Sequence, residues 1–231
     1  MYEFKQPIQL LFLNLTGTYS DIAANNIQST VFTNQLQEQL VLPLPNHNRS
    51  LSLAANASKY LFGLAITVGG GIGYRQNWLD LLENNELFPA RVQTITYKAS
   101  LNGRLVSFIN WIYNANYAVS NSIAQGASAS NNSQLTQKTT FSFTTVKNVY
   151  FNVSGDYLYT RQPGQEDLKY LFADMNLNWR LLKLKTDIMF SVTNLANVKT
   201  FTAVNLTPNS LTTGTYTIPG RVAMLKGTFS F

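Results

Sequence analysis

The sequence contains no cysteine, a single histidine and few charged residues for a chain of 231. Without cysteine it can form neither a disulfide framework nor a thiolate metal site. Charged residues make up 12% of the chain, about half the share usual in soluble proteins. The net charge is +6, but lysine and arginine are scattered, with no basic stripe and no nucleic-acid-binding motif. Nucleic acid is therefore not an expected partner.

The chain also lacks a long hydrophobic run. Its most apolar stretch, YLFGLAITVGGGIGY at 60–74, is shorter than a membrane-spanning helix and is interrupted by glycines. The first ten residues, MYEFKQPIQL, do not have the charged region and apolar core of a signal peptide. We expect that such a peptide has been removed or that the chain begins partway through a longer protein.

No pattern in the sequence suggests catalysis, a metal site or a cofactor. His47 lies in the turn LPNHN, and no motif places a serine or an aspartate beside it. We expect it to be solvated and inert. The glycine run at 69–73 lacks the Lys-Ser/Thr of a phosphate loop, and on a strand it favours a bend, a bulge or the close approach of another chain. The expected protein is not an enzyme and has no cofactor.

What the chain has in abundance is alternation of apolar and polar residues. In 182–194 one alternate set is Leu182, Leu184, Thr186, Ile188, Phe190 and Val192, and the other is Lys183, Lys185, Asp187, Met189, Ser191 and Thr193. The same split occurs in 105–119, 150–161 and 171–181. Successive side chains of a strand point to opposite faces, so these segments are predicted to be strands with one apolar and one polar face.

Turn-forming residues between such segments divide the chain into about eleven predicted strands. They lie at 5–19, 27–43, 49–58, 62–76, 91–102, 105–118, 136–146, 149–161, 168–181, 183–204 and 214–231. Short connections are predicted at 58–61, 102–104, 147–148 and 180–182, and longer ones at 77–90, 120–135, 161–167 and 195–213. Residues 78–87 are expected to form a short helix inside the first of the long loops.

Two architectures fit many amphipathic strands: a soluble sandwich or barrel, and an antiparallel transmembrane β-barrel. Long strands, aromatic residues near the ends of the apolar runs, alternating short and long connections, and the absence of charge from the apolar sets all favour the membrane barrel. In that fold the polar set would line a lumen. The predicted lumen-facing residues are Asn110, Asn114, Asp156, Asp174, Asn176, Lys183, Lys185 and Asp187.

The last strand ends on an aromatic residue. In RVAMLKGTFSF, the set Ala223, Leu225, Gly227, Phe229 and Phe231 would face lipid. This resembles the C-terminal β-signal of bacterial outer-membrane proteins, carried here by Gly227, Phe229 and Phe231. The resemblance implies that the barrel assembly machinery docks this strand.

The last fifty residues resemble the end of TonB-dependent outer-membrane receptors, especially the barrel family common in Bacteroidetes. In that family the penultimate strand ends in an "xVxNL" element, and the chain returns as "Y-x-x-P-G-R" before a terminal Phe. Here these elements are SVTNL at 191–195 and YTIPGR at 216–221.

The resemblance implies a receptor in the bacterial outer membrane that imports a large nutrient (a siderophore, a glycan or a peptide). Such receptors have a plug domain inside a barrel of about 22 strands, so residues 1–231 are expected to be the C-terminal half of that barrel. The implied partners are the lipid bilayer, the plug and N-terminal strands, TonB acting through the plug, and a surface lipoprotein. Two alternatives stay open: a complete small barrel acting as a passive pore or an enzyme, and a structural component of an envelope complex.

Overall fold

The computed structural model describes residues 2–6, 10–32, 37–84, 86–124, 130–206 and 211–229. These residues form fifteen strands and one short 3-10 turn, Leu182–Leu184, and no α-helix lies among them. The strands are β1 Tyr2–Gln6, β2 Leu11–Ala24, β3 Ile27–Phe32, β4 Gln37–Leu42, β5 Asn46–Leu61, β6 Ile66–Glu83, β7 Glu86–Val106, β8 Ile109–Ala124, β9 Ser130–Val146, β10 Val149–Arg161, β11 Leu168–Leu181, β12 Thr186–Thr193, β13 Thr200–Leu206, β14 Leu211–Thr217 and β15 Val222–Phe229. The all-β prediction is confirmed.

Eleven strands form one continuous antiparallel path, in the order β1-β2-β5-β6-β7-β8-β9-β10-β11-β12-β15. The β3–β4 hairpin lies off this path, and β3 makes a short parallel pairing with the far end of β6. The β13–β14 hairpin forms a separate two-stranded sheet. Among the described residues β1 pairs only with β2 and β15 only with β12, so the path has two open edges.

Several predicted boundaries are wrong. The single strand predicted at 5–19 is instead the hairpin β1–β2, and the one predicted at 27–43 is the hairpin β3–β4. No helix forms at 78–87, because β6 and β7 continue their ladder to the pair Glu83 and Glu86. Part of the loop predicted at 120–135 is also strand, since Ser130 pairs with Ser122. Polar sequence does not prevent a strand where the neighbouring strand supplies the backbone hydrogen bonds.

Four tight turns lie at one end of the sheet. They occupy residues 62–65, 107–108, 147–148 and 182–185. The turn at 147–148 is where the sequence predicts it, with Asn148 at φ 68°, a left-handed conformation that asparagine tolerates. The other three lie a few residues later than predicted. The long connections lie at the opposite end, which we call the long-loop end.

The sheet has one apolar and one polar face. Directly paired residues of antiparallel strands place their side chains on the same face. One such row across β8 to β12 is apolar, and the next row along the same strands is polar. The apolar row is Trp111, Phe141, Val153, Met175 and Val192, and the polar row is Asn110, Ser142, Asn152, Asn176 and Ser191.

The apolar face is not covered by a second layer. In the described part of the chain the only buried hydrophobic residues are Ile27, Leu82, Ala90 and Val192, whereas Leu225 is 73% exposed. The accessible surface is 15424 Å² for 25.9 kDa, about 1.5 times the roughly 10,500 Å² expected of a compact soluble protein of that mass. No helix among the described residues is long and apolar enough to cross a membrane.

Candidate functional site

The polar face is concave and encloses a cavity of about 780 Å³. Glu3 of β1 and Phe172 of β11 both line it, although these are the first and ninth strands of the sheet path. The sheet is therefore curled tightly, with its polar side inward and its apolar side outward.

Amides, hydroxyls and a few charges line this concave cavity together with a larger share of apolar surface. The amides and hydroxyls include Asn14, Asn56, Ser58, Ser100, Asn114, Asn116 and Thr136, the charges belong to Glu3, Lys98, Lys138 and Asp156, and the apolar side chains include Phe12, Leu158 and Phe172. Lys138 Nζ lies 3.8 Å from Asp156 Oδ1. Both side chains are substantially exposed, so the ion pair adds little stability.

Gly69 of β6 lines the cavity and has no side chain. A Cβ added there would lie 2.5 Å from Ser100 Oγ, so the neighbouring side chain occupies the space that a larger residue would need. The sequence predicts a bend, a bulge or a close approach at this glycine run. The ladder from β5 through β6 to β7 keeps its register across the run, so a bulge is ruled out there.

Six of the eight residues predicted to face a lumen share the concave face. By register these are Asn110, Asn114, Asp156, Asp174, Asn176 and Asp187. Asn114 and Asp156 line the cavity itself, and Asp187 Oδ1 accepts a hydrogen bond of 3.2 Å from Arg180 Nε near the tight turns.

Lys183 and Lys185 do not belong to the strand rows. Lys183 lies in the 3-10 turn between β11 and β12, and Lys185 directly follows this turn with φ 47°. The alternation of 182–185 suggested a strand, but antiparallel neighbours require a reversal there, and the reversal moves both lysines to the end of the sheet.

Two of the three residues that resemble a β-signal, Gly227 and Phe229, lie on the edge strand β15. Gly227 pairs with Ile188 and Phe229 with Thr186, which places both on the outward apolar face. Phe229 is 66% exposed. Phe231 lies outside the described residues.

The two motif segments that resemble TonB-dependent receptors meet at the base of the β13–β14 hairpin. Asn194 is buried, and its Nδ2 donates to the carbonyl oxygens of Val198 at 2.7 Å and Pro219 at 3.0 Å. Its Oδ1 accepts from Val198 N at 2.9 Å. One side chain thus joins the end of β12 to the segment that leads into β15.

Arg221, which directly precedes β15, connects the same two segments by bonding to residues that follow β12. Its guanidinium group donates to Leu195 O, through Nε at 3.1 Å and also through Nη2. Its backbone N donates to Asn197 Oδ1 at 3.0 Å. A Cβ added to Gly220 would lie 2.6 Å from the same Asn197 oxygen. Asn194, Asn197 and Arg221 form what we call the hairpin base.

Above this base the hairpin folds inward onto the concave face. The ring of Phe201 lies 4.9 Å from that of Tyr170 and 6.2 Å from that of Phe172, between centroids. Thr202 N donates to Tyr170 Oη at 2.9 Å. Sequence reasoning missed this hairpin, although two runs rich in threonine and aliphatic residues around TPNS are a recognisable hairpin pattern.

His47 has a partner that the sequence did not suggest. Its Nδ1 lies 3.1 Å from Asp21 Oδ1, and Arg49 Nε lies 3.3 Å from Asp21 Oδ2. All three side chains are exposed, and in the described part of the chain no hydroxyl group hydrogen-bonds to His47. Nor do the described residues hold a cluster of three metal-ligating side chains.

Comparison of the chain with protein-family models, with curated proteins and with solved structures gave no match.

Proposed function

We propose that the chain is the C-terminal barrel portion of a TonB-dependent transporter in a bacterial outer membrane, which imports a large nutrient such as a siderophore, a glycan or a peptide. The observation that carries this proposal is the two-faced sheet. A wall with apolar side chains outside and amides, hydroxyls and charges inside suits lipid on one side and a polar solute path on the other.

The height of the apolar face supports a membrane location. On β10 the outward set runs from Val149 through Val153 to Tyr157 without a charge. The nine residues from Val149 to Tyr157 rise about 27 Å along the strand, which a tilt of about 40° reduces to about 21 Å, slightly less than the apolar band of about 25 Å seen in outer-membrane barrels. Charged outward residues lie beyond this run, at Arg161 and at Lys169 of β11.

The rest of the proposal follows from the family resemblance. The motif residues Asn194, Leu195, Pro219 and Arg221 interact with one another, as expected of a recurring structural element between the last two strands. The remaining strands and the plug would complete the barrel along the open edges of β1 and β15, because unpaired backbone groups are costly in lipid. TonB would act through the plug.

Energy-dependent uptake tests the proposal. The full-length protein would be produced in outer membranes, and accumulation of labelled siderophores, glycans and peptides would be compared with and without a protonophore. We expect accumulation of one class that stops when the proton gradient collapses. Uptake that is unaffected by the protonophore, or no uptake of any class, contradicts import by this route.

The tight curl favours a second candidate, a complete small barrel that acts as a passive pore. Residues from the first to the ninth strand of the path line a single cavity, so most of the path already has the curl that a small barrel requires. Liposomes containing the purified chain distinguish the candidates. Swelling in isotonic sugar solution that depends on solute size supports the pore, and its absence supports the receptor.

A further inference from the structure

Two grooves lie on the outward face of the sheet, on the opposite side from the concave cavity. The apolar groove, of about 540 Å³, crosses β1, β2, β5 and β6, and its lining includes Leu15, Gly17, Leu53, Ala55, Ile72 and Tyr74. The charged groove, also of about 540 Å³, lies nearer the long-loop end, and its lining includes His47, Arg49, Trp78, Asp80, Arg91 and Ile123. By register these side chains all belong to the outward face.

Small residues create the apolar groove. Gly17 pairs directly with Leu53, and Leu15 pairs with Ala55, so each pair joins a small residue to a large one. A Cβ added to Gly17 would lie 3.4 Å from Leu53 Cδ2. A groove between aliphatic side chains has the shape and the chemistry that a hydrocarbon chain would fill.

The two grooves are in line along β5 and β6, with a row of amides between them. On β6, Tyr74 of the apolar groove and Trp78 of the charged groove are four residues apart, about 13 Å along the strand. Between them Gln76 Oε1 accepts a hydrogen bond of 3.1 Å from Gln93 Nε2. The outward face therefore changes from apolar, through amide, to charged toward the long-loop end.

The charged groove holds its two signs in separate rows. Arg49 and Arg91 flank Trp78 in one row, and Asp80 lies one row farther from the apolar groove. Arg49 is paired with Asp21, but neither Arg91 nor Asp80 takes part in an ion pair among the described residues. Arginine is the side chain best suited to phosphate, and a carboxylate attracts an ammonium group.

We propose that the two grooves together bind a lipid whose headgroup carries a phosphate and, farther from the acyl chains, an ammonium group. An acyl chain lies in the apolar groove, the phosphate lies between Arg49 and Arg91, and the ammonium group lies at Asp80. The order of these groups along the lipid matches the order of the rows along the strands. The site rests on the membrane location proposed above and not on import, so a receptor and a pore would share it.

Lipid binding to the purified full-length protein in a nonionic detergent tests the site. The protein would be titrated with dioleoyl phosphatidylethanolamine and, separately, with dioleoyl phosphatidylglycerol, which has the same chains and phosphate but no ammonium group. Native mass spectrometry counts the bound lipids. We expect the first phosphatidylethanolamine molecule to bind about fivefold more tightly than phosphatidylglycerol, the factor that corresponds to one exposed ion pair.

Three variants separate the parts of the site. Asp80→Asn should remove the preference for phosphatidylethanolamine without weakening the binding of phosphatidylglycerol. Arg91→Gln should weaken the binding of both lipids about fivefold, and Arg91→Lys should keep most of the affinity because it keeps the charge. Gly17→Val partly fills the apolar groove and should weaken both lipids about fourfold, the factor for one methylene group left outside it.

Arg161→Gln is the matched control. It removes the same charge from the outward face at the long-loop end, but Arg161 lines neither groove. It should leave both affinities unchanged. A loss as large as that of Arg91→Gln would show general attraction between charges and would overturn the site.

The remaining outcomes also decide the proposal. Displacement of the lipid by an equal concentration of soluble glycerol phosphate would assign the charged groove to a free phosphate compound and overturn the lipid site. Equal affinities of the parent protein for the two lipids would overturn the site and leave the membrane location standing. Binding of neither lipid would contradict both.

Discussion

Asn194 combines a left-handed backbone with three side-chain hydrogen bonds. Its φ is 55°, which asparagine adopts more readily than most residues. Its amide group is bonded to Val198 twice and to Pro219 once. Asparagine at this position therefore suits both the left-handed backbone of the turn and the hydrogen bond to Pro219, 25 residues away.

Asn194→Gly separates these two roles. Glycine adopts positive φ freely, so the variant loses only the hydrogen bonds and leaves buried backbone groups unpaired. We expect a loss of about 3 kcal/mol in the free energy of unfolding, at about 1 kcal/mol for each bond. Denaturant titration of the protein folded in detergent or lipid gives this value.

The control is Asn48→Gly on β5, where the asparagine is exposed. Asn48→Gly should lower the free energy of unfolding by well under half as much as Asn194→Gly, because it removes no comparable set of buried hydrogen bonds. Equal losses for the two variants would show that Asn194 acts through backbone conformation and not through its bonds.

At the scale of the strand, β10 presents the two faces on neighbouring residues. Val153 lies in the outward apolar row with Phe141 and Met175. Ser154, the next residue, faces the cavity side beside Thr140 and Asp174. A single step along the chain changes the surroundings from apolar to polar.

Lysine introduced at these two positions should destabilise the protein at Val153 and leave its stability nearly unchanged at Ser154. Val153→Lys places a charge near the middle of the apolar face, at an expected cost of about 2–4 kcal/mol if that face meets lipid. Ser154→Lys should be nearly neutral, since Asp174 is its cross-strand neighbour. Unfolding titrations in lipid vesicles measure both. A tolerated lysine at 153 would show that the apolar face does not contact lipid.

The existence of the long strands from β5 to β12 followed from the sequence, but their ends did not, and neither did the hairpins β1–β2, β3–β4 and β13–β14. The pair Lys147 and Asn148 marks its turn clearly because it interrupts two alternating runs. At 77–90 adjacent apolar residues such as Leu81 and Leu82 break the alternation, so the pattern fades although β6 and β7 stay paired to Glu83 and Glu86. Pairing beyond the apolar region depends on the neighbouring strand and not on hydrophobic alternation.

At the scale of the whole molecule, the open edges of β1 and β15 determine which candidate function is correct. A half-barrel needs other strands between these edges, whereas a small barrel needs β1 to meet β15. Both strands have outward side chains that can carry engineered cysteines, including Phe4 and Leu225.

Disulfide formation reports whether the edges meet. Phe4→Cys would be combined in turn with Ala223→Cys, Leu225→Cys and Gly227→Cys, and the full-length protein would be oxidised in its native preparation. A bond requires Cα atoms within about 7 Å. For the receptor we expect no bond within one chain in any combination, as judged by gel mobility. A bond in one register would support the small barrel.

The positive control joins Phe4→Cys to Leu13→Cys, which are direct partners in β1 and β2. It should oxidise readily, because cross-strand neighbours have suitable spacing. If the control fails to oxidise, the β1–β2 pairing itself is contradicted.

The sequence by itself determined the all-β class, the division of each strand into an apolar and a polar set, and the polar face that carries Asn114, Asp156 and Asn176. These properties are local, since the period of a strand is visible along a single segment. Only the tertiary structure decided that the sheet curls so that β1 and β11 share a cavity. It also decided that Asn194 reaches Pro219 and that Phe201 lies on Tyr170 and Phe172. Those contacts join residues more than twenty positions apart, and their geometry depends on twist, curvature and packing that no single segment contains.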